Sequence, residues 1–178
     1  MVSFGLNLWL ALKQILSAPF KDASIWWVLA PVILFWLVLE IYFTKHKGEE
    51  LGWNTALGNG ISLTWITVTL MKYLSENKFA AFTKPKFALV ISIMLYGFFI
   101  AYISFKHSFS DKTTFLLASP TPIYFLAGVS ILWAYGVLFI NIYVIIDLLL
   151  IYLLTLGIVH MFKRFSPEAE TSDAPFSI

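Results

Sequence analysis

The chain contains no cysteine, a single arginine, and few charges of either sign: twelve Lys and Arg against ten Asp and Glu, 12% of 178 residues. Each scarcity excludes something. Without a thiol there is no thiolate nucleophile, Fe–S cluster, Cys-ligated zinc or disulfide framework. Soluble domains carry about 25% charged residues. Half that share, with 60% hydrophobic side chains and a mean hydropathy of +0.83, excludes an ordinary soluble domain. The seven Pro and nine Gly are scattered, so no collagen-like or low-complexity tract forms. A formal net charge of +2, with the basic residues at the ends of apolar runs, excludes nucleic acid as a partner, because membrane topology accounts for that placement. No Asn is followed two positions later by Ser or Thr, so no N-glycosylation acceptor exists.

What is abundant is long apolar sequence, and the chain reads as one all-α integral membrane domain. The first twenty residues are not a cleaved signal, since Lys13 interrupts them and Pro19 follows Ser17-Ala18. On a helix, Asn7, Ala11, Gln14, Ser17 and Lys21 share one side and Phe4, Leu8, Trp9, Leu12, Ile15 and Leu16 the other, the pattern of an interfacial amphipathic helix over 1–22. Residues 25–43 carry one charge, Glu40, and rise about 28 Å, close to the hydrocarbon thickness. Further spans are expected over 51–74 and 87–105. Residues 115–162 offer forty-eight nearly continuous apolar positions with no polar turn.

Positive-inside counting separates the two ways of reading that stretch. Four spans with the N-terminus inside put eight Lys and Arg in the cytoplasm and four outside, whereas five spans divide them six and six. The expectation is therefore four transmembrane helices, the last over 136–161, with five as the alternative. A short re-entrant or interfacial segment starts near Pro120-Pro122, both termini are cytoplasmic, and 166–178 is a disordered tail. The polytopic domain occupies 23–165.

The candidate sites follow from the cost of polar groups in lipid. Asp147 lies deep in the last span, where an ionised Asp costs about 2.5–3.5 kcal/mol, so it is an ion or proton site or a hydrogen-bonded packing residue. Glu40 is close enough to a span end to reach the interface and pair locally with Lys45, and it shares a helix face with Trp36. Gly52, Ala56 and Gly60 form a small-residue ladder for close helix packing, and Asn59 lies near that face. With four spans, Glu40, Asn54, Asn59 and Asn141 collect in the outer half with Asp147 deeper. That set makes either an outward-opening polar cavity or an interhelical hydrogen-bond cluster, the second needing fewer assumptions.

No catalytic motif is present: there is no HExxH, no GxSxG with a triad, no Walker lysine and no dinucleotide fingerprint. His46, His107 and His160 stand at separate polar ends, so no metal site or cofactor is expected. The chain is expected to be a non-enzymatic accessory or assembly subunit that acts through helix packing. The lipid bilayer surrounds it, and a homo-oligomer or membrane-protein partner completes it. The alternative is an oligomeric ion channel or proton-coupled transporter using Asp147, and a lipid-directed enzyme ranks third for want of an acid–base pair.

Overall fold

The computed structural model describes residues 4–46, 52–76 and 84–165, so the expected tail at 166–178 lies outside them. Helix α1, Phe4–Ser17, stops at Pro19, where the chain turns through two short 3-10 segments, Ala18–Phe20 and Ala23–Ile25. The second is started by Asp22, which accepts hydrogen bonds from the Ser24 backbone N–H at 2.8 Å and the Ser24 hydroxyl at 2.7 Å. There follow α2 (Trp26–Lys45), α3 (Trp53–Glu76), α4 (Lys84–Lys106), α5 (Asp111–Leu117), α6 (Pro120–Ala134) and α7 (Ile142–Phe165), with no strand among the described residues.

Four helical stretches are long and apolar enough to cross a bilayer: Ala23–Lys45, Lys84–Lys106, Asp111–Ala134 and Ile142–Phe165. The protein is thus an all-α multi-pass membrane protein. The 24 residues of α3 make it equally long, about 36 Å at the helical rise, but its Asn, Ser and Thr residues lower its hydropathy. It lies antiparallel along α4. A Cβ added to Gly60 would stand 2.6 Å from the Ala101 backbone nitrogen, and one added to Gly97 would stand 2.9 Å from the Thr64 backbone nitrogen, so the two helices touch backbone to backbone.

Two sets of contacts define the ends of the bundle. At one end Trp53 stacks on His107 with ring centroids 3.9 Å apart, and Lys163 Nζ lies 3.6 Å from Glu40 Oε2. At the other, Tyr73 stacks on Tyr135 at 3.8 Å, Phe4 meets Tyr143 at 5.8 Å, and Lys86 donates to the Ala134 carbonyl at 3.3 Å. We call these the Glu40 end and the Tyr143 end. From the Tyr143 end the chain runs up α2, down α3, up α4, down α5 and α6, and up α7.

This path differs from the expected one at two places. The segment at Pro120-Pro122 is not re-entrant: α5 and α6 join nearly end to end, with only Ala118 and Ser119 between them. The last span begins at 142 rather than 136. Gly136 closes α6 in the left-handed conformation (φ 75°), with Val137 N–H bonded to the Leu132 carbonyl at 3.2 Å. Asn141 then caps α7, its Oδ1 accepting from the N–H groups of Tyr143 and Val144, both at 3.0 Å. Because α5–α6 runs the length of the bundle, α1 and the C-terminal end of α7 lie at opposite ends, whereas both termini were expected on one side.

Helix α1 covers the Tyr143 end. Ala11 and Ile15 are buried, Gln14 Nε2 donates to the Phe139 carbonyl at 3.4 Å and Lys21 Nζ to the Val137 carbonyl at 3.3 Å. Asn7 and Gln14 line a recess against Asn141 and Tyr143, while Trp9, Leu10 and Leu16 are exposed. The polar stripe of the helix therefore turns toward protein and most of its large apolar side chains turn outward.

Candidate functional site

Proline has no N–H, so Pro122 cannot complete the helical hydrogen bond to the carbonyl four residues back, that of Ala118. In hydrocarbon an unpaired carbonyl costs several kcal/mol, and another donor has to reach it. Asn59 of α3 supplies one: its Nδ2 donates to the Ala118 carbonyl at 2.8 Å, and its Oδ1 accepts from the Tyr124 hydroxyl of α6 at 2.9 Å. From α4, the Tyr96 hydroxyl donates to the Leu117 carbonyl at 3.0 Å. Asn59 is 1% exposed and both ends of its amide are used. Its polarity repairs the proline break and joins α3 to α6.

Glu40 sits on the other side of the same break. One carboxylate oxygen accepts from the Thr121 hydroxyl and the other faces Lys163 Nζ at 3.6 Å. Glu40 is 8% exposed, while the Lys163 side chain is 43% exposed, so the cation reaches down from the end of α7 to a carboxylate held between α2 and α6. The sequence pointed to Lys45 as the local partner, and Lys163 holds that position because α7 ends at this end of the bundle. Lys45 instead borders the cleft beside Glu40.

That cleft, about 380 Å³, opens between the upper halves of α2 and α7. Trp36, Glu40 and Thr44 line one wall and Thr155, Ile158, Val159 and Phe162 the other. The shared face of Trp36 and Glu40 expected from their spacing is this wall. The Trp36 Nε1 is buried with no hydrogen-bond partner among the described residues. Apart from Glu40 and Lys45 the lining is neutral and largely apolar, which suits an apolar chain better than a hydrated ion.

The remaining candidates are dispersed. Asp147 lies in the second turn of α7 near the Tyr143 end, 5% exposed, and its Oδ2 has no partner among the described residues. Asn141 caps α7 at that same end, so neither residue joins Glu40, and the outer-half polar set is divided by the five-rod path. Asn54 is exposed and borders a separate recess of about 690 Å³ with Tyr42, Trp53 and His107. Of the small-residue ladder, Ala56 and Gly60 are buried, but Gly52 precedes α3 and a Cβ there would meet nothing within 4 Å. The ladder is occupied by α4 of the same chain.

Sequence reasoning missed Tyr96, Gly97, Thr121, Tyr124 and Lys163. Pro120 and Pro122 lack the N–H groups that would pair nearby carbonyls, but which distant side chains answer them depends on the packing of α3 and α4. At the Glu40 end His107 adopts φ 51°, the C-terminal turn closed by Ser108 N–H to the Ile103 carbonyl at 3.2 Å, and the stacking on Trp53 covers it. Among the described residues no group of three His, Cys, Asp or Glu side chains is placed to hold a metal ion. In comparisons with family models, curated proteins and solved structures, no match to this chain is found.

Proposed function

We propose that this chain is a non-enzymatic accessory or assembly subunit of a membrane, and that α7 is the helix through which it meets a membrane-protein partner or a second copy of itself. The observation that carries this reading is the unequal use of the helices. Gly60 and Gly97 bring α3 and α4 together, and the Asn59–Tyr124 hydrogen bond joins α3 to α6. Helix α7 has the highest mean hydropathy of the four apolar stretches, 2.6, yet buries only Val144 and Asp147. In lipid, helices associate through close packing and interhelical hydrogen bonds. Helix α7 is attached through α1, the Lys163–Glu40 pair, and Leu148, Ile151 and Tyr152, the last meeting Phe125 of α6 at 5.1 Å.

The absence of native cysteine makes a direct test available. Single cysteines at Leu149, Leu153 and Leu156, all exposed on α7, are treated with a short thiol-reactive cross-linker in the native membrane. Adducts from α7 and none from Leu95, Phe98 or Tyr102, equally exposed on α4, are expected. No adduct from α7, or equal yields from both helices, overturns the reading.

The transport reading is favoured by one observation, the buried Asp147 carboxylate with an unpartnered oxygen. Its supporting cast is thin: Glu40 stands at the far end, Asn59 is saturated and Asn141 is a helix cap. Proton flux in proteoliposomes lost on Asp147→Asn, with the fold intact, supports transport; unchanged flux removes it.

A further inference from the structure

We infer that the C-terminal part of α7, from Thr155 to Phe165, is a hinged strap: the Lys163–Glu40 ion pair latches it over α2, and breaking the pair lets it swing away while the rest of α7 stays seated. The inference does not depend on the assembly reading, because it concerns how α7 sits on its own bundle. Three observations carry it. First, the two parts of α7 are held unequally. Up to Tyr152 the helix is capped by Asn141, buries Val144 and Asp147, packs Leu148 and Ile151 on the core and sets Tyr152 against Phe125 of α6 at 5.1 Å. Among the described residues no α7 side chain beyond Tyr152 is buried, and Thr155, Ile158, Val159 and Phe162 line one wall of the cleft of about 380 Å³ whose other wall is α2.

Second, the helix is weak where the packing stops. The Thr155 hydroxyl donates to the Ile151 carbonyl at 2.8 Å, the back-bond by which Thr bends a helix. Gly157 follows two residues later. A Cβ there would meet nothing within 4 Å, so no close neighbour calls for glycine, and its effect at that place is to soften the helix. Third, the latch has a fixed half and a mobile half. The Thr121 hydroxyl donates to one Glu40 oxygen and holds the carboxylate against α6, while Lys163 Nζ lies 3.6 Å from the other oxygen at the end of a half-exposed side chain. An ion pair open to water on its cationic side is weak and is screened by salt. The apolar contact beside it adds little, because lipid is as apolar as the side chains it would replace, so the pair decides whether the strap lies on α2. Opening separates Lys163 from Glu40 and uncovers the α2 wall of Trp36, Glu40 and Thr44.

The test is double electron–electron resonance between paired nitroxide labels on the full chain in lipid vesicles, where no native Cys competes for label. Labels at Val38 and Met161 read the strap, and labels at Leu34 and Leu150 read α7 below the hinge; all four positions are exposed and none lines the cleft. Lys163→Gln is expected to lengthen the Val38–Met161 distance by about 5 Å or more, the scale of one helical turn, and to leave Leu34–Leu150 unchanged. Lys163→Arg, which keeps the pair, and Arg164→Gln, which removes a cation that does not line the cleft, are expected to leave both distances unchanged. Adding Gly157→Ala to Lys163→Gln stiffens the hinge and should reduce the lengthening. Raising salt from about 0.05 M to about 1 M should lengthen Val38–Met161 in the chain with Lys163 and have no effect in Lys163→Gln. An unchanged Val38–Met161 distance in Lys163→Gln overturns the proposal, and if that variant fails to fold, an unchanged distance at high salt does so. Equal lengthening of both distances overturns it as well, because α7 would then leave as a rigid rod, and so does a swing that Gly157→Ala does not reduce.

Discussion

The side of the bundle built by α3, α4 and α6 and the side built by α7 solve the problem of living in lipid in opposite ways. On the first side, polar residues are frequent and nearly all are used. Gly60 and Gly97 bring two backbones together, Asn59 answers the Ala118 carbonyl that Pro122 leaves open, and Tyr96 bonds the Leu117 carbonyl beside it. On the second, the helix is almost wholly apolar, few of its residues are buried, and the carboxylate it does bury has an oxygen without a partner. Hydrophobicity holds a helix in the membrane without holding it to its neighbours, because lipid is as apolar as Leu. Cohesion within the bundle therefore follows the less hydrophobic helix, α3, and freedom to meet other molecules follows the most hydrophobic one.

The sharpest way to break this contrast is Gly60→Leu. The added side chain would start 2.6 Å from backbone nitrogen of Ala101, which cannot move aside as a flexible side chain can, and a loss of about 3 kcal/mol or more is expected. Unfolding of the detergent-solubilised chain measures it. Gly58→Ala is the control, since its Cβ would meet nothing within 4 Å and helix propensity alone should raise stability by under about 1 kcal/mol. Equal melting of the two variants would mean that α3 and α4 do not meet at Gly60.

Next in size is Asn59→Leu, expected to cost about 2 kcal/mol, because it deprives the buried Ala118 carbonyl and Tyr124 hydroxyl of their partner. Adding Tyr124→Phe to it removes one of the two stranded groups, so the double variant should lose less than the sum of the singles. Strict additivity would show that the Asn59–Tyr124 bond contributes nothing to cohesion.

On the loose side the sign reverses. Asp147→Leu is expected to stabilise by about 1 kcal/mol, since a buried carboxylate with an unsatisfied oxygen gives way to a side chain the surroundings accept. A clear loss of stability in the same melts would assign Asp147 a donor, and α7 would then be held as firmly as α3.

The residues themselves show how far this arrangement is legible in advance. Hydropathy marks α2 and α4 within a few residues, since uninterrupted apolar stretches with charged ends leave little choice. The placement of Asn59 on a helix-facing side follows from its distance to the glycine ladder. Beyond that, the reading turned on Pro120-Pro122, two residues that start a helix as readily as they break one. Taking them as the edge of a re-entrant segment hides that α5 and α6 follow one another along the bundle, and with it the direction of α7. Positive-inside counting could not repair this, because a parity change moves Lys163 and Arg164 together. Once α7 is reversed, Lys163 meets Glu40 and Asp147 leaves it. The pairings that matter, Glu40 with Thr121 and Asn59 with Ala118, are 81 and 59 residues apart in sequence, and no local pattern encodes them.

The smallest expected effect concerns the hinge through which α1 comes to lie against α7. Asp22 caps the turn before α2, and the hydrogen bonds from the Ser24 hydroxyl and backbone hold its carboxyl below the usual carboxylate value of about 3.9. A carboxyl whose folded value is depressed adds stability that is complete above its unfolded value and is lost as pH falls through the folded one. Acidification from about pH 5 to about pH 3 should therefore loosen the Asp22 turn, where the neighbouring Lys21 reaches the Val137 carbonyl, and with it the seating of α1. Since Asp22 is solvated, the effect should be confined to this corner: amide exchange should rise in Phe4–Ser17 and the start of α7 and stay flat in α3 and α4. Asp22→Ala should show the raised exchange already at neutral pH and lose this part of the acid response. If acid instead loosens α3 and α4 together with α1, the two sides of the bundle are coupled, and the division between a cohesive core and a loosely held α7 fails.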